Sequence, residues 1–213
     1  MTKKYKAVIF DLDGVIVSTD ECHYEAWKML ADEEGIYFDR EINQRLRGVS
    51  RMESLEIVLE RATKEYTEAE KLEMATRKNG YYVEKIKSLD KTAILAGALE
   101  FVSLAKNAGL KVAIGSSSKN TMAILKQTGC ETLFDAIADG NDIKNSKPAP
   151  DVFLVAAEKL QIAPTDCMVV EDAEAGVDAA LAAGMDVLAV GFASAYAKAT
   201  YRAKSLDEVL VKK

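Results

Sequence analysis

Residues 7–14 read AVIFDLDG, in which four consecutive apolar residues run directly into two aspartates and a glycine. An unbroken apolar run of this length is typical of a strand that is buried on both faces. Three further runs, at 112–114, 168–170 and 187–190, also end at a polar or glycine-containing turn. The sequence therefore predicts at least four short, buried strands.

Segments with the apolar spacing of a helix lie between these runs, at 98–106, 120–127 and 173–183. Each is followed by a glycine (Gly109, Gly129 and Gly184), the residue that most readily forms a left-handed helix cap. Alternating strands and helices predict a Rossmann-like, doubly wound α/β fold with a parallel sheet covered on both faces. Ligands of such sheets bind at the carboxyl ends of the strands.

The stretch 18–92 differs from the rest of the sequence. It has almost none of the apolar runs typical of strands, and it contains long charged amphipathic segments. We predict an all-helical cap domain at 18–92, inserted into a core formed by 1–17 and 93–213. Because the insert leaves and re-enters the core near the end of the first strand, it would lie over that end. A cap in this position can exclude water from a site below it.

Composition restricts the functional classes. Of 213 residues, 49% are apolar and 29% charged, as in ordinary folded, soluble proteins. With 28 Lys and Arg against 34 Asp and Glu, the net charge is −6, which argues against a nucleic-acid partner. An anionic substrate would need a local cluster of basic residues. The three cysteines match no disulfide or zinc pattern, and no signal or membrane-spanning run is found, so we expect a cytoplasmic monomer.

Asp11 and Asp13 lie two residues apart after the first strand, and Gly14 frees the chain to turn. Carboxylates this close repel each other unless a cation joins them, and Mg²⁺ prefers oxygen ligands. One carboxylate would then be free to attack phosphorus while the other handles a proton. Taken alone, the motif is also compatible with a solvated acidic turn or a helix cap.

Other polar groups follow the other strands. Residues 115–120 read GSSSKN and open a helix, which directs N–H groups and hydroxyls to one point suited to phosphate. Simple N-capping is the alternative. Lys147 stands in the sequence SKPAP, whose prolines fix its position. Glu171 and Asp172 end a third buried strand, where they could complete a metal site or cap the next helix.

The order of these groups resembles the four motifs of the haloacid dehalogenase superfamily of phosphotransferases, over residues 6–191. The motifs are DLDG at 11–14, Ser116, Lys147-Pro148 and Glu171-Asp172. The resemblance implies that Asp11 is the nucleophile that forms an aspartyl phosphate and that Asp13 is the general acid and base.

The same resemblance implies a Mg²⁺ ion bound by Asp11, the backbone carbonyl of Asp13, and Asp172, with help from Glu171. The residues it implies for the transferring phosphoryl group are Ser116 and Lys147.

The insert resembles the cap of the β-phosphoglucomutases, with matching stretches at 21–27, 46–51 and 77–79. This resemblance implies that Arg51 grips the phosphate that is not being transferred, and that His23 and Lys78 couple cap closure to proton transfer. It implies interconversion of β-glucose 1-phosphate and glucose 6-phosphate, with glucose 1,6-bisphosphate as activator. The further substrate contacts that it implies are Ser117, Ser118, Lys119, Asn120, Trp27 and Gly48.

Two positions depart from the pattern: Ser18 stands where an aspartate is common, and Arg47 where a lysine is expected. They leave the hinge and the sugar contacts open. Without the resemblance, His23 and Arg51 also fit surface positions, and Trp27 fits the core of the insert. The alternative functions are a Mg²⁺-dependent sugar-phosphate phosphatase and a non-catalytic, phosphate-sensing module on the same fold.

Overall fold

The computed structural model describes residues 5–47 and 49–211. Within these ranges six strands form one sheet in the order β3-β2-β1-β4-β5-β6, and every neighbouring pair is parallel. The strands are β1 (Ala7–Phe10), β2 (Lys111–Gly115), β3 (Ala136–Ala138), β4 (Cys167–Glu171), β5 (Asp186–Ala189) and β6 (Tyr201–Arg202).

Five helices of the described residues, α1–α5, lie between β1 and β2; α1–α4 belong to the insert, α5 leads into β2, and α6–α9 follow β2. The predicted α/β fold with a helical insert is confirmed, while the domain boundaries at 17/18 and 92/93 stay a prediction. No helix in the described ranges combines the length and apolar character of a membrane span. The helices are α1 (Asp20–Glu33), α2 (Arg40–Gln44), α3 (Arg51–Leu59), α4 (Glu68–Ile86), α5 (Ala98–Asn107), α6 (Thr121–Thr128), α7 (Asp151–Leu160), α8 (Glu174–Ala182) and α9 (Leu206–Val211).

The predicted helices at 98–106, 120–127 and 173–183 correspond to α5, α6 and α8, with ends that differ by one residue. Gly109, Gly129 and Gly184 adopt φ angles of 77°, 71° and 74°. These are left-handed conformations that a side chain disfavours, so the predicted glycine caps are confirmed.

Strand β1 is buried on both faces, as its apolar run predicts. Val8 and Phe10 belong to one hydrophobic cluster, and Ala7 and Ile9 to a second. This division follows because successive strand residues point to opposite faces of the sheet. A third cluster, which includes Trp27, packs the inserted helices against one another.

The register of the three central strands determines where the site lies. Phe10 pairs with Ile114 of β2 and with Val170 of β4. The strands therefore reach the same level, and the polar residues that follow them meet at one edge of the sheet. The chain passes from one side of β1 to the other at β4, and such a reversal opens a crevice for ligands.

The inserted helices join the core through two segments that run side by side. The Leu95 N–H donates to the Ile16 carbonyl at 3.0 Å, and the Ser18 N–H donates to the Ala93 carbonyl at 2.8 Å. Ser18 makes this contact through its backbone. Serine in place of the expected aspartate therefore does not disturb the pairing of the two segments.

Candidate active site

The end of β1 presents two carboxylates in different surroundings. Asp11 is anchored by its N–H, which donates to the Val170 carbonyl at 2.9 Å. Asp13 accepts a hydrogen bond from the Thr19 hydroxyl at the start of α1. Burial raises the pKa of Asp13 to about 6, although the Thr19 bond opposes this shift. A carboxyl group that titrates near neutral pH is suited to both accept and return a proton.

Gly14 is required because Asp172, which follows β4, comes very close to this turn. Its φ is 85°, and a Cβ at this position would overlap the carboxylate of Asp172. The glycine predicted to free the turn therefore also lets two segments of the site come together.

Three carboxylates, from Asp11, Glu171 and Asp172, form a buried cluster in which one oxygen of each lies within 4.8 Å of the others. Lys147 inserts its ammonium into this cluster, with Nζ 2.5 Å from Asp11 Oδ1 and 2.6 Å from Glu171 Oε1. Burial and the neighbouring carboxylates raise the pKa of Asp172 to about 9. Burial also raises the pKa of Asp11 to about 7, against the opposing effect of Lys147.

These raised pKa values indicate that one ammonium does not neutralise three buried carboxylates. Oxygen donors in an over-acidic, buried cluster are the ligand set that a hard divalent cation such as Mg²⁺ prefers. The residues therefore fit the predicted metal. The Asp13 carboxylate is not part of the cluster because it faces Thr19, which leaves its backbone carbonyl as the group predicted to bind the ion.

The loop after β2 directs polar groups toward the same edge. The Ser118 N–H donates to Ser116 Oγ at 3.2 Å, and the Asn120 N–H donates to Ser118 Oγ at 3.2 Å. The hydroxyl of Ser117 is buried and has no hydrogen-bond partner among the described residues. Lys119 is exposed. A folded loop with an unused hydroxyl is consistent with the predicted phosphate cradle.

The inserted helices bring a buried lysine over this edge. Lys78 on α4 is 3% exposed, and its Nζ lies 3.0 Å from Nδ1 of His23 on α1. Burial and then Arg51 lower the pKa of Lys78 to about 7. Burial, followed by the charge of Lys78, holds the pKa of His23 well below its ordinary value. His23 is therefore neutral, and the rings of Trp27 and Tyr82 each lie 4.8 Å from Lys78 Nζ.

Arg51, the first residue of α3, connects the insert to the loop after β2. Its guanidinium donates to Asn79 Oδ1 at 2.8 Å, and the Asn120 side-chain amide donates to the same oxygen at 3.1 Å. Burial lowers the pKa of Arg51. Through Asn79, this basic group is thus linked to Asn120 of the loop after β2.

All of these groups line one cavity of about 460 Å³. Of the predicted site residues, only Gly48 is not among its lining residues, because Gly48 lies outside the described residues. Trp27 packs in the core of the insert and also lines the cavity. The predicted residues that line it are Asp11, Asp13, His23, Trp27, Arg51, Lys78, Ser116, Ser117, Ser118, Lys119, Asn120, Lys147, Glu171 and Asp172.

Three polar residues of the cavity that were not predicted as site residues contact predicted ones. Thr19 precedes α1 and bonds Asp13, Asn79 joins Arg51 to Asn120, and Tyr82 stacks on His23 with ring centroids 4.1 Å apart. Tyr82 is one helical turn after Lys78, so its spacing on α4 was the available signal. The contacts of Thr19 and Asn79 depend on the packing of the insert, for which the sequence gives no local signal.

Comparison with known proteins supports the resemblance. A haloacid dehalogenase-like hydrolase family model matches residues 5–184. The β-phosphoglucomutase of Bacillus subtilis is 45% identical over 188 residues, which cover 87% of this chain and 83% of that protein. A phosphorylated carbohydrates phosphatase of Thermotoga maritima is 32% identical over 184 residues, covering 85% and 82%.

A crystal structure of a β-phosphoglucomutase from Clostridium difficile superposes with a TM-score of 0.88 at 40% identity, covering 96% of this chain and 93% of that one. The predicted resemblance is confirmed by the family model, by the sequence relatives and by this fold. The chain is an enzyme that belongs to the haloacid dehalogenase-like hydrolases.

Proposed function

We propose that this enzyme interconverts β-glucose 1-phosphate and glucose 6-phosphate through a phospho-aspartate at Asp11 and a β-glucose 1,6-bisphosphate intermediate. The observation that carries the proposal is the pair of polar regions in one cavity. Asp11 and Lys147 lie at the strand ends, and Arg51 with Asn120 lies at the junction of insert and core. A bisphosphate needs two such regions, whereas a monophosphate needs one.

In the first half of the reaction, phospho-Asp11 transfers its phosphoryl group to the 6-hydroxyl of β-glucose 1-phosphate. The bond between phosphorus and the Asp11 oxygen breaks as the bond to the sugar oxygen forms, and Asp13 takes the hydroxyl proton. Arg51 holds the phosphate already present on C1. Lys147 remains beside Asp11 and offsets negative charge on the transferring group.

In the second half, the bisphosphate turns within the cavity and presents its C1 phosphate to Asp11. Asp11 attacks that phosphorus, Asp13 returns its proton to the leaving C1 oxygen, and glucose 6-phosphate is released. We propose that Asp11, Asp172 and the Asp13 carbonyl hold Mg²⁺, assisted by Glu171. When bound, this ion neutralises charge on the phosphoryl oxygens and on the carboxylate cluster.

The relatives support this reading and also supply the main alternative. The Bacillus subtilis relative is a β-phosphoglucomutase, and the Thermotoga maritima relative is a phosphatase of phosphorylated carbohydrates. In a phosphatase, water instead of the sugar hydroxyl would take the phosphoryl group from phospho-Asp11. The two functions share the core chemistry and differ in the fate of phospho-Asp11.

The decisive assay contains the enzyme, Mg²⁺, β-glucose 1-phosphate and a trace of glucose 1,6-bisphosphate, and measures glucose 6-phosphate and free phosphate together. Glucose 6-phosphate that depends on the bisphosphate, with little free phosphate, is the expected result. Free phosphate alone would make the enzyme a phosphatase.

Replacing Arg51 tests the second phosphate position. Arg51→Ala should lower kcat/KM for the mutase reaction about 10- to 100-fold, the effect of losing a charge-assisted hydrogen bond. Arg45→Ala is the matched control, because Arg45 is an exposed arginine of the insert that pairs with Glu60. An equal effect of both changes would contradict a phosphate grip at Arg51.

The non-catalytic alternative is tested on Asp11 itself. Wild-type enzyme mixed with the bisphosphate and quenched in acid should gain the mass of one phosphoryl group, and Asp11→Asn should gain none and should have no turnover. An unmodified wild-type protein that binds phosphate but forms no product would favour a sensing module.

A further inference from the structure

Phe192 lies in the part of the chain that forms the sheet, and its ring projects toward the insert. It lies in the 3₁₀ turn Gly191–Ala195, directly after β5 and Val190, and is 62% exposed. The backbone on either side is fixed, since the Ala193 N–H donates to the Asp172 carbonyl at 2.8 Å and the Gly191 N–H to the Lys204 carbonyl at 2.9 Å. The backbone that carries the ring is therefore fixed next to that of Asp172.

Arg47, in the loop between α2 and α3, covers this ring. Its Cζ lies 3.8 Å from the centroid of Phe192. The two terminal nitrogens donate to both carboxylate oxygens of Asp20, at 2.8 and 2.6 Å. One face of the guanidinium thus packs on the ring of Phe192, while its edge binds Asp20, the first residue of α1.

This geometry needs an aromatic ring and a guanidinium together. A planar guanidinium can stack on a ring and form a two-point bond with a carboxylate at the same time, whereas a lysine ammonium cannot. Arg47 also lines the cavity, so the stacked pair lies at the junction where insert and core close over the site.

We propose that Phe192 is a positioning residue that acts through Arg47 to hold the insert closed on the core at the edge of the cavity. The inference rests on the proposed function, because closure decides whether a sugar hydroxyl or water takes the phosphoryl group from phospho-Asp11. Without the ring, the closed arrangement is populated less in the free enzyme, and the apparent affinity for substrate falls in proportion.

The test compares three replacements of Phe192. Phe192→Tyr keeps the aromatic face, Phe192→Leu keeps apolar bulk without it, and Phe192→Ala removes both. The leucine and alanine variants should raise KM for β-glucose 1-phosphate about two- to tenfold, the range of a cation–π contact, with little change in kcat. Both should also release a larger share of free phosphate, and the tyrosine variant should match the wild type.

A double-mutant cycle with Arg47→Lys tests whether the effect of Phe192 on KM depends on Arg47. Once Arg47 is lysine, Phe192→Leu should change KM and the free-phosphate share little further. Wild-type values for the leucine and alanine variants, or additive effects in the cycle, would overturn the proposal. A wild type that forms no glucose 6-phosphate would instead refute the proposed function, and the same comparison of KM for hydrolysis would still test Phe192.

Discussion

Asp11 and Asp13 belong to the same short motif, yet their neighbours give them different chemistry. Asp11 contacts Lys147 inside a buried cluster of carboxylates, whereas Asp13 is held by the Thr19 hydroxyl. Lys147 opposes the burial that raises the pKa of Asp11 and so favours the ionised form that its proposed role as nucleophile requires, whereas Asp13, with a pKa of about 6, can exchange protons near neutral pH. Their surroundings, more than their spacing, separate the two roles.

Replacing Asp13 by asparagine tests its proton transfer. Asp13→Asn keeps the size of the side chain and the backbone carbonyl, but removes the group that accepts and returns the proton. We expect kcat to fall about 10²- to 10⁴-fold in a variant that still unfolds cooperatively. Asp32→Asn, at an exposed position of α1, controls for loss of a carboxylate. A loss below about tenfold would contradict general acid–base catalysis by Asp13.

Lys78 makes stability depend on pH. Its pKa is about 7 in the folded protein against an ordinary value of 10.5, chiefly because burial disfavours its charge. Between these two values the unfolded chain binds a proton that the folded chain does not. The contribution of Lys78 to the free energy of unfolding therefore rises with pH, by at most about 1.4 kcal/mol per pH unit.

Lys78→Met removes this contribution. The variant should be more stable than the wild type at about pH 6.5, and its advantage should shrink at about pH 8 and again at about pH 9.5, as measured by urea unfolding. Lys85→Met, which replaces a partly exposed lysine of the same helix that pairs with Glu25, is the control. A gain that stays constant or grows with pH would show that Lys78 keeps its proton.

At the scale of elements, the N-terminal cap of an inserted helix can fix the position of a side chain in the cavity. Ser50 caps α3 with a complete capping box, in which Ser50 and Glu53 bond each other's backbone N–H, and Arg51 follows at once. Thr67 caps α4 in the same way with Glu70, at an end that lines no part of the cavity. The two caps are chemically alike, but only the Ser50 cap is followed by a residue that lines the cavity.

Ser50→Ala and Thr67→Ala should each lower the free energy of unfolding by about 1 kcal/mol, because each removes one N-cap hydrogen bond. Only Ser50→Ala should also raise KM for the sugar phosphate, since it loosens the turn that carries Arg51. Urea unfolding and steady-state kinetics on both variants check this. Equal KM values would show that Arg51 is held by Asn79 alone.

The sequence predicted those elements whose pattern is local. β1, β2, β4 and β5 are apolar runs buried in the sheet, and the polar residues after them could be assigned to one edge because parallel strands end together. β3 is an apolar run of three residues that was not predicted, whereas β6 has two exposed residues and gives no apolar run. Contacts such as Arg51 with Asn79 and Arg47 with Phe192 could not be predicted, because they depend on how the insert packs on itself and on the core.

At the scale of the whole molecule, the fold separates opposite charges within one cavity. Among the described residues that line it, the acidic ones are Asp11, Asp13, Asp20, Glu171 and Asp172, and the basic ones are Arg47, Arg51, Lys78, Lys119 and Lys147. Most of the acidic residues come from the ends of β1 and β4, and most of the basic residues from the insert and the loop after β2. The core thus favours a metal ion, and the insert favours a phosphate, although the chain carries a net charge of −6.

This separation predicts that Mg²⁺ changes how one substitution in the carboxylate cluster affects stability. The pKa of Asp172 is raised to about 9, so the folded metal-free protein retains a proton that the unfolded chain gives up near pH 4. That difference reduces stability as pH rises from about 4 toward 9. In EDTA at about pH 8, Asp172→Asn should therefore unfold at higher urea than the wild type.

Added Mg²⁺ should narrow this difference, because an ion that binds only the folded state stabilises it by about 2.7 kcal/mol at a hundred times its Kd. The wild type should gain this stability and Asp172→Asn should gain little, since one ligand is lost and the repulsion that the ion relieves is already reduced. Glu174→Gln, an exposed carboxylate at the start of α8, should follow the wild type under both conditions. An equal Mg²⁺ response of wild type and Asp172→Asn would place the ion elsewhere, whereas an unstable metal-free Asp172→Asn would show that the carboxylates do not repel one another in the folded chain.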